Sequence, residues 1–292
     1  MNAMSHDHTI VPREKLDFGL DGDIPKYWFG GDAFKTRFFD AMSTIFPEGE
    51  RYFISCVRDF RDQVSDPKLL AEIKDFMRQE GQHGIVHSQY NERLKAQGID
   101  VDALERFTHN MLFNFARKHL PKKQTLAETA AAEHMTAIMA HSFFEKKEVL
   151  AQADPRMRAM YAWHAMEEIE HKAVAFDVMQ KVAKVGYLRR VMAMVVVTLG
   201  FNIHSLLTTR YMLKVDGLRG WQRFKLMAKG MWWIFKPGGL YMSILGHYLQ
   251  YYKPGFHPWQ AGQMHTYHLW LDTFNRTGDP IQAGEVLHAA GA

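Results

Sequence analysis

Two stretches of the chain share one layout: DPKLLAEIKDFMRQEGQH at residues 66–83 and DPRMRAMYAWHAMEEIEH at residues 154–171. Each begins with Asp-Pro, and each carries a glutamate 13 residues after the proline and a histidine three residues later. An aspartate before a proline is a typical helix start, because the carboxylate caps backbone N–H groups and the proline has none to cap. The stretches therefore predict two similar helices, each with a Glu-x-x-His pair on one face.

A further glutamate lies upstream of each stretch at a similar distance. Glu50 precedes Glu80 by 30 residues, and Glu133 precedes Glu168 by 35 residues. Glu50 has apolar neighbours at helical spacing, whereas the neighbours of Glu133 are small. Two helical hairpins that each supply one glutamate and one Glu-x-x-His pair predict an all-α fold with a duplicated four-helix bundle.

Helical spacing of apolar residues continues over most of the remaining chain, with no convincing run of alternating strand residues. We therefore expect additional C-terminal helices, and Pro47 predicts a break in the first helix because it lacks a backbone N–H. The predicted helices cover about residues 34–63, 67–97, 101–119, 125–152, 155–184, 187–215, 218–235, 239–252 and 258–275. The predicted domains are an N-terminal arm (1–30), the bundle (31–186) and a basic, aromatic-rich extension packed on the bundle (187–292).

The paired motifs predict a metal site inside the bundle. Buried carboxylates are costly unless they are paired or bound to a cation, and no cluster of Lys or Arg accompanies these ones in the sequence. We therefore expect two divalent metal ions; the alternative is that the acids form salt bridges on a solvated face, which the apolar neighbours of Glu50 disfavour. The predicted ligands from the repeat are Glu50, Glu80, His83, Glu133, Glu168 and His171.

The same residues resemble a known superfamily. Glu50, Glu80-x-x-His83, Glu133 and Glu168-x-x-His171 look like the ligand set of the ferritin-like di-iron carboxylate proteins. The longer strings PEGERYF, RQEGQH, AAEHMTA and WHAMEEIEHKAVAFDV resemble the bacterial family labelled predicted metal-dependent hydrolase. The resemblance implies a ferritin-like bundle that binds two ions, with iron as the expected metal and manganese or zinc as alternatives.

His164 lies four residues before Glu168 and adds a third histidine. The run His164-x-x-x-Glu168-x-x-His171 resembles the fourth helix of p-aminobenzoate N-oxygenase-type di-iron enzymes, which implies a site of four glutamates and three histidines. Alternatively, His164 is a core histidine bonded to a backbone carbonyl. His87 is a rival for the third imidazole, and Glu167 could also reach the centre; we expect both to contact the ligands rather than the ions.

The net charge of +4 conceals two unlike parts of the chain. Residues 181–292 hold 13 Lys and Arg against 4 Asp and Glu, whereas residues 1–180 hold 23 against 28. The single cysteine, Cys56, excludes an intramolecular disulfide framework and a thiolate zinc site. The N-terminal residues lack the basic-then-apolar order of a signal peptide, which predicts a cytoplasmic protein, with the inner face of the membrane as the alternative.

The basic part contains the uncharged segment VMAMVVVTLGFNIHSLL at residues 191–207. Because it is short for a bilayer span and contains Asn202 and His204, we expect a helix buried in the protein or in a dimer interface. Residues 231–252 mix aromatic side chains with lysines, which suits a peripheral membrane contact, a homodimer contact or a substrate funnel. Nucleic acid is not an expected partner, since the basic residues are dispersed among bulky apolar ones.

The predicted function is that of a di-iron oxidoreductase, an oxidase or oxygenase that acts with O2 on a small, lipophilic substrate. Such an enzyme needs an external electron donor, and we expect no catalytic residues beyond the metal ligands. The alternative is a metal-dependent hydrolase that uses a metal-activated water, as the family label implies. A non-catalytic metal-binding or membrane-associated bundle is the further alternative.

Overall fold

Helices dominate the computed structural model, which describes residues 9–144, 147–260 and 266–290. Within those ranges there is no β-strand, only an isolated bridge between Phe29 and Ala153, so the predicted all-α class is confirmed. The helices are α1 (Ala33–Ser43), α2 (Phe46–Arg58), α3 (Pro67–Ala96), α4 (Val101–His109), α5 (Arg117–His119), α6 (Lys122–Phe144), α7 (Lys147–Leu150), α8 (Pro155–His171), α9 (Val174–Asp177), α10 (Tyr187–Val215), α11 (Gly220–Phe235), α12 (Leu245–Gln250), α13 (Tyr267–Thr277) and α14 (Pro280–Ala290). π-Helical turns at Asn110–Ala116 and Val178–Val182 follow α4 and α9.

The duplicated stretches form α3 and α8, and both helices begin at the predicted caps. The side chain of Asp66 accepts a hydrogen bond from the backbone N–H of Lys68, and that of Asp154 accepts one from Arg156. The predicted break near Pro47 is also confirmed, since α1 and α2 are separate helices. The predicted helix at 155–184 is wrong in its second half, because α8 ends at His171 and a short helix with a π-helical turn follows.

Four helices surround a common interior. α2 packs against α3 and α6, and α8 packs against the same two helices, so the four form a ring. Gly84 of α3 leaves room for the side chain of Glu50, since a Cβ atom at this position would lie 3.1 Å from Oε2 of Glu50. This arrangement brings the four predicted ligand-bearing helices together; membership of the ferritin-like superfamily stays a prediction.

The core extends beyond the four helices. The described part of the N-terminal segment, residues 9–32, contains no helix. Its side chains Phe18 and Trp28 are nevertheless buried in the protein core. They belong to the same apolar cluster as Trp270 of α13 and Leu287 of α14. Residues 1–8 of the predicted arm lie outside the described residues, and the domain boundaries after residues 30 and 186 stay predictions.

The uncharged segment 191–207 lies in α10, which packs along α6 and α1. In the described part of the chain, α10 is the one helix long and apolar enough to cross a membrane, judged by length and composition only. Only 22% of its most apolar window is buried. The expectation that this segment is buried within the protein is therefore wrong for most of its surface.

Candidate metal centre

The seven predicted ligands converge inside the ring of four helices. α2 and α6 each supply one glutamate, α3 supplies a Glu-x-x-His pair, and α8 supplies the remaining three residues. None of the seven exposes more than 6% of its surface. They are Glu50 on α2, Glu80 and His83 on α3, Glu133 on α6, and His164, Glu168 and His171 on α8. The sequence pattern thus identifies residues that do lie together in the core.

Two of the carboxylates lie between the histidines. Nε2 of His171 is 3.0 Å from Oε1 of Glu80 and 3.5 Å from Oε2 of Glu168. On the other side, Nδ1 of His83 is 3.9 Å from Glu80 Oε1 and 3.7 Å from Glu168 Oε1. Ligand atoms that bind one ion at about 2.1 Å and at right angles lie about 3 Å apart. Glu80 and Glu168 are therefore placed to be shared by two ions.

The candidate donor atoms divide into subsites that share these carboxylates. Among the described residues, several sets of three donors each lie with all their atoms within 4.8 Å of one another. One set is Glu80, Glu133 and His171. The other three sets are Glu50/Glu80/His83, His83/His164/Glu168 and Glu50/His87/His164. Each of these sets offers enough donors to hold a metal ion.

The cluster also fits cations because its polar atoms lack partners. No described residue makes a hydrogen bond to either carboxylate oxygen of Glu50, Glu80 or Glu133, nor to Nδ1 of His83 or Nε2 of His171. His171 Nε2 and Glu80 Oε1 are close in distance, but their geometry is not that of a hydrogen bond, so both atoms are directed at the shared space. Buried polar atoms of this kind are costly unless something binds them, and divalent ions match this donor set.

The electrostatics of the cluster agree with that conclusion. Burial, reinforced by neighbouring carboxylates, raises the pKa of Glu80 to about 8 and that of Glu133 to about 7. The same causes raise the pKa of Glu50 well above its ordinary value, and burial lowers the pKa of His83. Glu50, Glu80 and Glu133 therefore resist ionisation, whereas, against the effect of burial, His171 and His164 lower the pKa of Glu168, and Glu168 and Glu133 raise the pKa of His171. Divalent ions would balance the charge of all four carboxylates.

The imidazoles are oriented by a network that the sequence did not predict. Nε2 of His83 donates to Oε2 of Glu167 at 3.1 Å, and Nδ1 of His171 donates to Oε1 of Gln79 at 2.9 Å. Gln79 in turn donates to Oε2 of Glu170 at 2.8 Å. Both histidines thus present the lone pair of their other nitrogen to the centre, as metal ligands do. Glu167 thus contacts the ring nitrogen of His83 that faces away from the other candidate ligands, and its role beside a metal ligand stays a prediction.

Arg13 supplies a positive charge to this network. Its guanidinium donates to Oε1 of Glu167 at 3.1 Å and to Oε1 of Glu170 at 2.7 Å, and it lies 5.1 Å from the ring centroid of Trp270. Tyr267 of α13 donates to Glu170 as well, at 2.8 Å. The N-terminal segment and the C-terminal helices therefore both support the metal-facing side of α8.

The hydrogen bonds around His87 bear on the role of His164. Ser43 donates its hydroxyl proton to Oδ1 of Asn91, so it accepts from Nδ1 of His87 at 2.9 Å. Nε2 of His87 is then an acceptor, and Nδ1 of His164 donates to it at 2.7 Å. The lone pair of His164 Nε2 consequently faces Glu168, whose Oε1 lies 3.0 Å away. This tautomer suits His164 as a ligand and His87 as the residue that orients it.

A pocket adjoins the centre on the His164 side. Thr136 links the two, because its side chain lies in the pocket wall and donates to Oε2 of Glu168. The hydroxyl of Tyr161 is bonded to the backbone carbonyl of Phe39, so the ring presents its apolar part. The wall consists of Met42, Phe46, Thr136, Met139, Ala140, Phe143, Tyr161, His164 and Ala165. The space next to the candidate ligands is thus almost entirely apolar.

We expect the Tm of the metal-free protein to fall between pH 6.5 and 8, by on the order of 5 °C more than that of the metal-loaded protein. Glu80 and Glu133 have folded-state pKa values of about 8 and about 7, above the ordinary 4.5. Below that ordinary value both side chains are protonated in the folded and the unfolded chain, and their contribution to the free energy of unfolding is at its largest. As the pH rises through the folded-state pKa values this contribution is lost, because ionisation then favours the unfolded chain. His83, with its lowered pKa, acts below about pH 6.5. His171, whose pKa is raised by Glu168 and Glu133 against the effect of burial, loses its stabilising effect as the pH rises above about 6.5, and so adds to the expected fall.

Thermal scans of chelator-treated and metal-loaded protein in the same buffers measure this difference. The pKa of Glu167 is also raised to about 8, but this residue contributes to both forms and so cancels in the comparison. Parallel pH dependences in the two forms would contradict the assignment of the glutamates as metal ligands.

Comparison with known proteins gives one match. A family model described as "Predicted metal-dependent hydrolase" matches residues 12–262, a range that contains all seven predicted ligands and Arg13. No curated protein and no solved structure matches the chain.

Proposed function

Because the chain belongs to the family of predicted metal-dependent hydrolases, we propose that it is a metal-dependent enzyme whose centre is the buried Glu/His cluster. In this proposal Glu80 and Glu168, which lie between His83 and His171, would hold the metal together with Glu50 and Glu133. His83, His164 and His171 supply the nitrogen ligands. Iron is the proposed metal, and manganese and zinc are the alternatives, because mixed carboxylate and imidazole ligation suits all three.

We further propose that the reaction is the O2-dependent oxidation of a small apolar substrate. The observation that carries this proposal is the apolar lining of the small pocket beside His164 and Thr136, which at about 20 Å³ has room for a molecule of about the size of water or O2. When bound, an iron pair would supply the redox chemistry that O2 activation requires, with electrons from an external donor. The apolar residues of the wall would keep water from the centre: the ring of Phe46 packs 4.7 Å from that of His87 and 5.1 Å from that of His164.

Hydrolysis is the second candidate, and the description of the family favours it. Hydrolysis of an ester or phosphoester develops negative charge on oxygen, which enzymes stabilise with hydrogen-bond donors aimed at that position. In the described pocket wall, the polar groups are Thr136, which already donates to Glu168, and His164, whose N–H proton is already donated to His87. The lining therefore suits an apolar substrate better than a polar one.

We expect protein grown with iron to contain about two iron ions per chain, and the reduced form to give a transient near-ultraviolet or visible absorption band on mixing with O2. Stopped-flow spectroscopy after anaerobic reduction measures the band, and zinc-loaded protein is the matched control without redox chemistry. A panel of esters and phosphoesters tests the second candidate. Turnover of that panel by zinc- or manganese-loaded protein, with no reaction of the iron form with O2, would overturn the oxidation proposal but not the metal centre.

A further inference from the structure

The face of α10 that points away from the bundle is an uninterrupted apolar stripe. No charged residue lies between Arg190 and Arg210, and every exposed residue from 191 to 209 is apolar. The large side chains of the stripe are 50–61% exposed and fall within about 80° of the helix circumference. They are Met192, Val196, Leu199, Ile203 and Leu207.

The next helix, α11, contacts α10 and also exposes a face of aromatic side chains. Four of them are 45–65% exposed, and they too lie within about 80° of arc. These are Trp221, Phe224, Trp232 and Phe235. Lys225 and Lys229 lie beside this face, and both are exposed. We call the exposed stripe of α10 together with these four aromatic residues the basic apolar surface.

Neighbouring elements widen the surface on both flanks of α10. The ring of Phe107 lies 5.2 Å from that of His204, and Phe107 is itself exposed. On the opposite flank the hydroxyls of Thr198 and Tyr248 are 3.1 Å apart, which places α12 beside α10, and Leu249 of α12 is exposed. Exposed apolar area of this extent is typical of a surface that contacts a partner.

Charge identifies the kind of partner. Between residues 217 and 271 the sequence holds six Lys and Arg and no Asp or Glu. The nearest preceding acid, Asp216, has its carboxylate bonded to Arg37 and Lys26, so it does not offset this charge. Aromatic and aliphatic side chains flanked by lysines match the composition of helices that lie in the interface of an anionic bilayer.

We propose that the basic apolar surface binds the face of an anionic lipid bilayer, with α10 and α11 lying in the plane of the membrane. The opposite side of α10 packs along α6 and α1, so the helix cannot cross a bilayer without leaving the core. A second copy of the chain is a poorer partner, because two such surfaces would bring like charges together. The inference does not depend on the reaction at the metal centre.

Vesicle flotation with the full-length protein tests the proposal. We expect at least about tenfold stronger binding to phosphatidylcholine vesicles containing phosphatidylglycerol than to phosphatidylcholine alone. Raising the salt to about 0.5 M should weaken binding, since the charge contribution is screened. Both Leu199→Glu/Ile203→Glu and Lys225→Glu/Lys229→Glu should reduce binding at least about tenfold.

Ile85→Glu is the matched control, because Ile85 is an exposed isoleucine on α3, outside the surface. Each variant should keep the Tm and metal content of the unmodified chain, which shows that lost binding does not come from unfolding. Equal binding to neutral and anionic vesicles, or none to either, would overturn the proposal. So would dimerisation in lipid-free buffer that Leu199→Glu/Ile203→Glu abolishes while vesicle binding is unchanged.

Discussion

Glu80→Gln and Glu168→Gln should each weaken metal binding by more than about 100-fold and leave at most one ion per chain. These two carboxylates lie between His83 and His171, so each substitution removes a donor from both subsites at once. The amide keeps the size of the side chain but not its charge or its second anionic oxygen. Metal content after dialysis and competition with a chelator give the affinity.

The metal-free Glu80→Gln variant separates a ligand from a structural residue. Burial raises the pKa of Glu80 to about 8, so the ionised carboxylate opposes folding when no cation is present. At pH 8 the metal-free variant should therefore be at least as stable as the metal-free parent, although it binds metal poorly. Glu72→Gln on the same helix is the control and should change neither property. Wild-type metal occupancy in Glu80→Gln would refute the assignment.

The sequence predicts the ligand-bearing part of the fold well because that part is governed by local signals. The Asp66 and Asp154 caps begin α3 and α8 as expected, and the three-residue step within each Glu-x-x-His pair places both side chains on one face. The upstream Glu50 and Glu133 follow from the duplication, and all four glutamates are buried together. Periodicity was thus sufficient to locate the centre.

Contacts between distant segments were not predictable in the same way. Arg13 lies more than 150 positions from Glu167 and Glu170, and Gln79 pairs with Glu170 across 91 positions. No local pattern marks such residues, since an arginine in a polar segment ordinarily remains in solvent. The adjacent pair Glu167 and Glu168 was the one signal, because a second buried acid requires its own partner.

The end of α8 and the exposure of α10 were mispredicted for related reasons. Apolar spacing continues past His171, but the backbone changes to a short helix and a π-helical turn, which periodicity does not detect. In α10 the composition predicts burial, whereas only one side of the helix meets α6 and α1. Apolar side chains are stabilised by leaving water, and the interior of a protein and the interior of a lipid bilayer both provide an apolar environment. Hydrophobicity alone therefore does not distinguish between the two. The cytoplasmic location stays a prediction.

Arg13→Met should lower the free energy of unfolding by about 3–5 kcal/mol and weaken metal binding by about 10–100-fold. Arg13 is buried and binds both Glu167 and Glu170, so its loss leaves two buried carboxylates without their cation. The pKa of Glu167 is already raised to about 8 by burial despite this ion pair. Without Arg13 we expect the pKa of Glu167 to rise further, so the carboxylate form that accepts from Nε2 of His83 is populated only at higher pH.

Three comparisons distinguish this positioning role from a general loss of stability. Arg78→Met is the matched control, since Arg78 pairs with Glu14 of the same N-terminal segment at the surface and should have little effect. Arg13→Lys keeps the positive charge but loses the planar guanidinium that contacts both Glu167 and Glu170. Its metal affinity should therefore lie between those of Arg13→Met and the parent. The visible spectrum of cobalt-substituted protein reports the His83 ligand directly. If Arg13→Met lost stability while its metal affinity and cobalt spectrum were unchanged, Arg13 would support the fold without orienting His83.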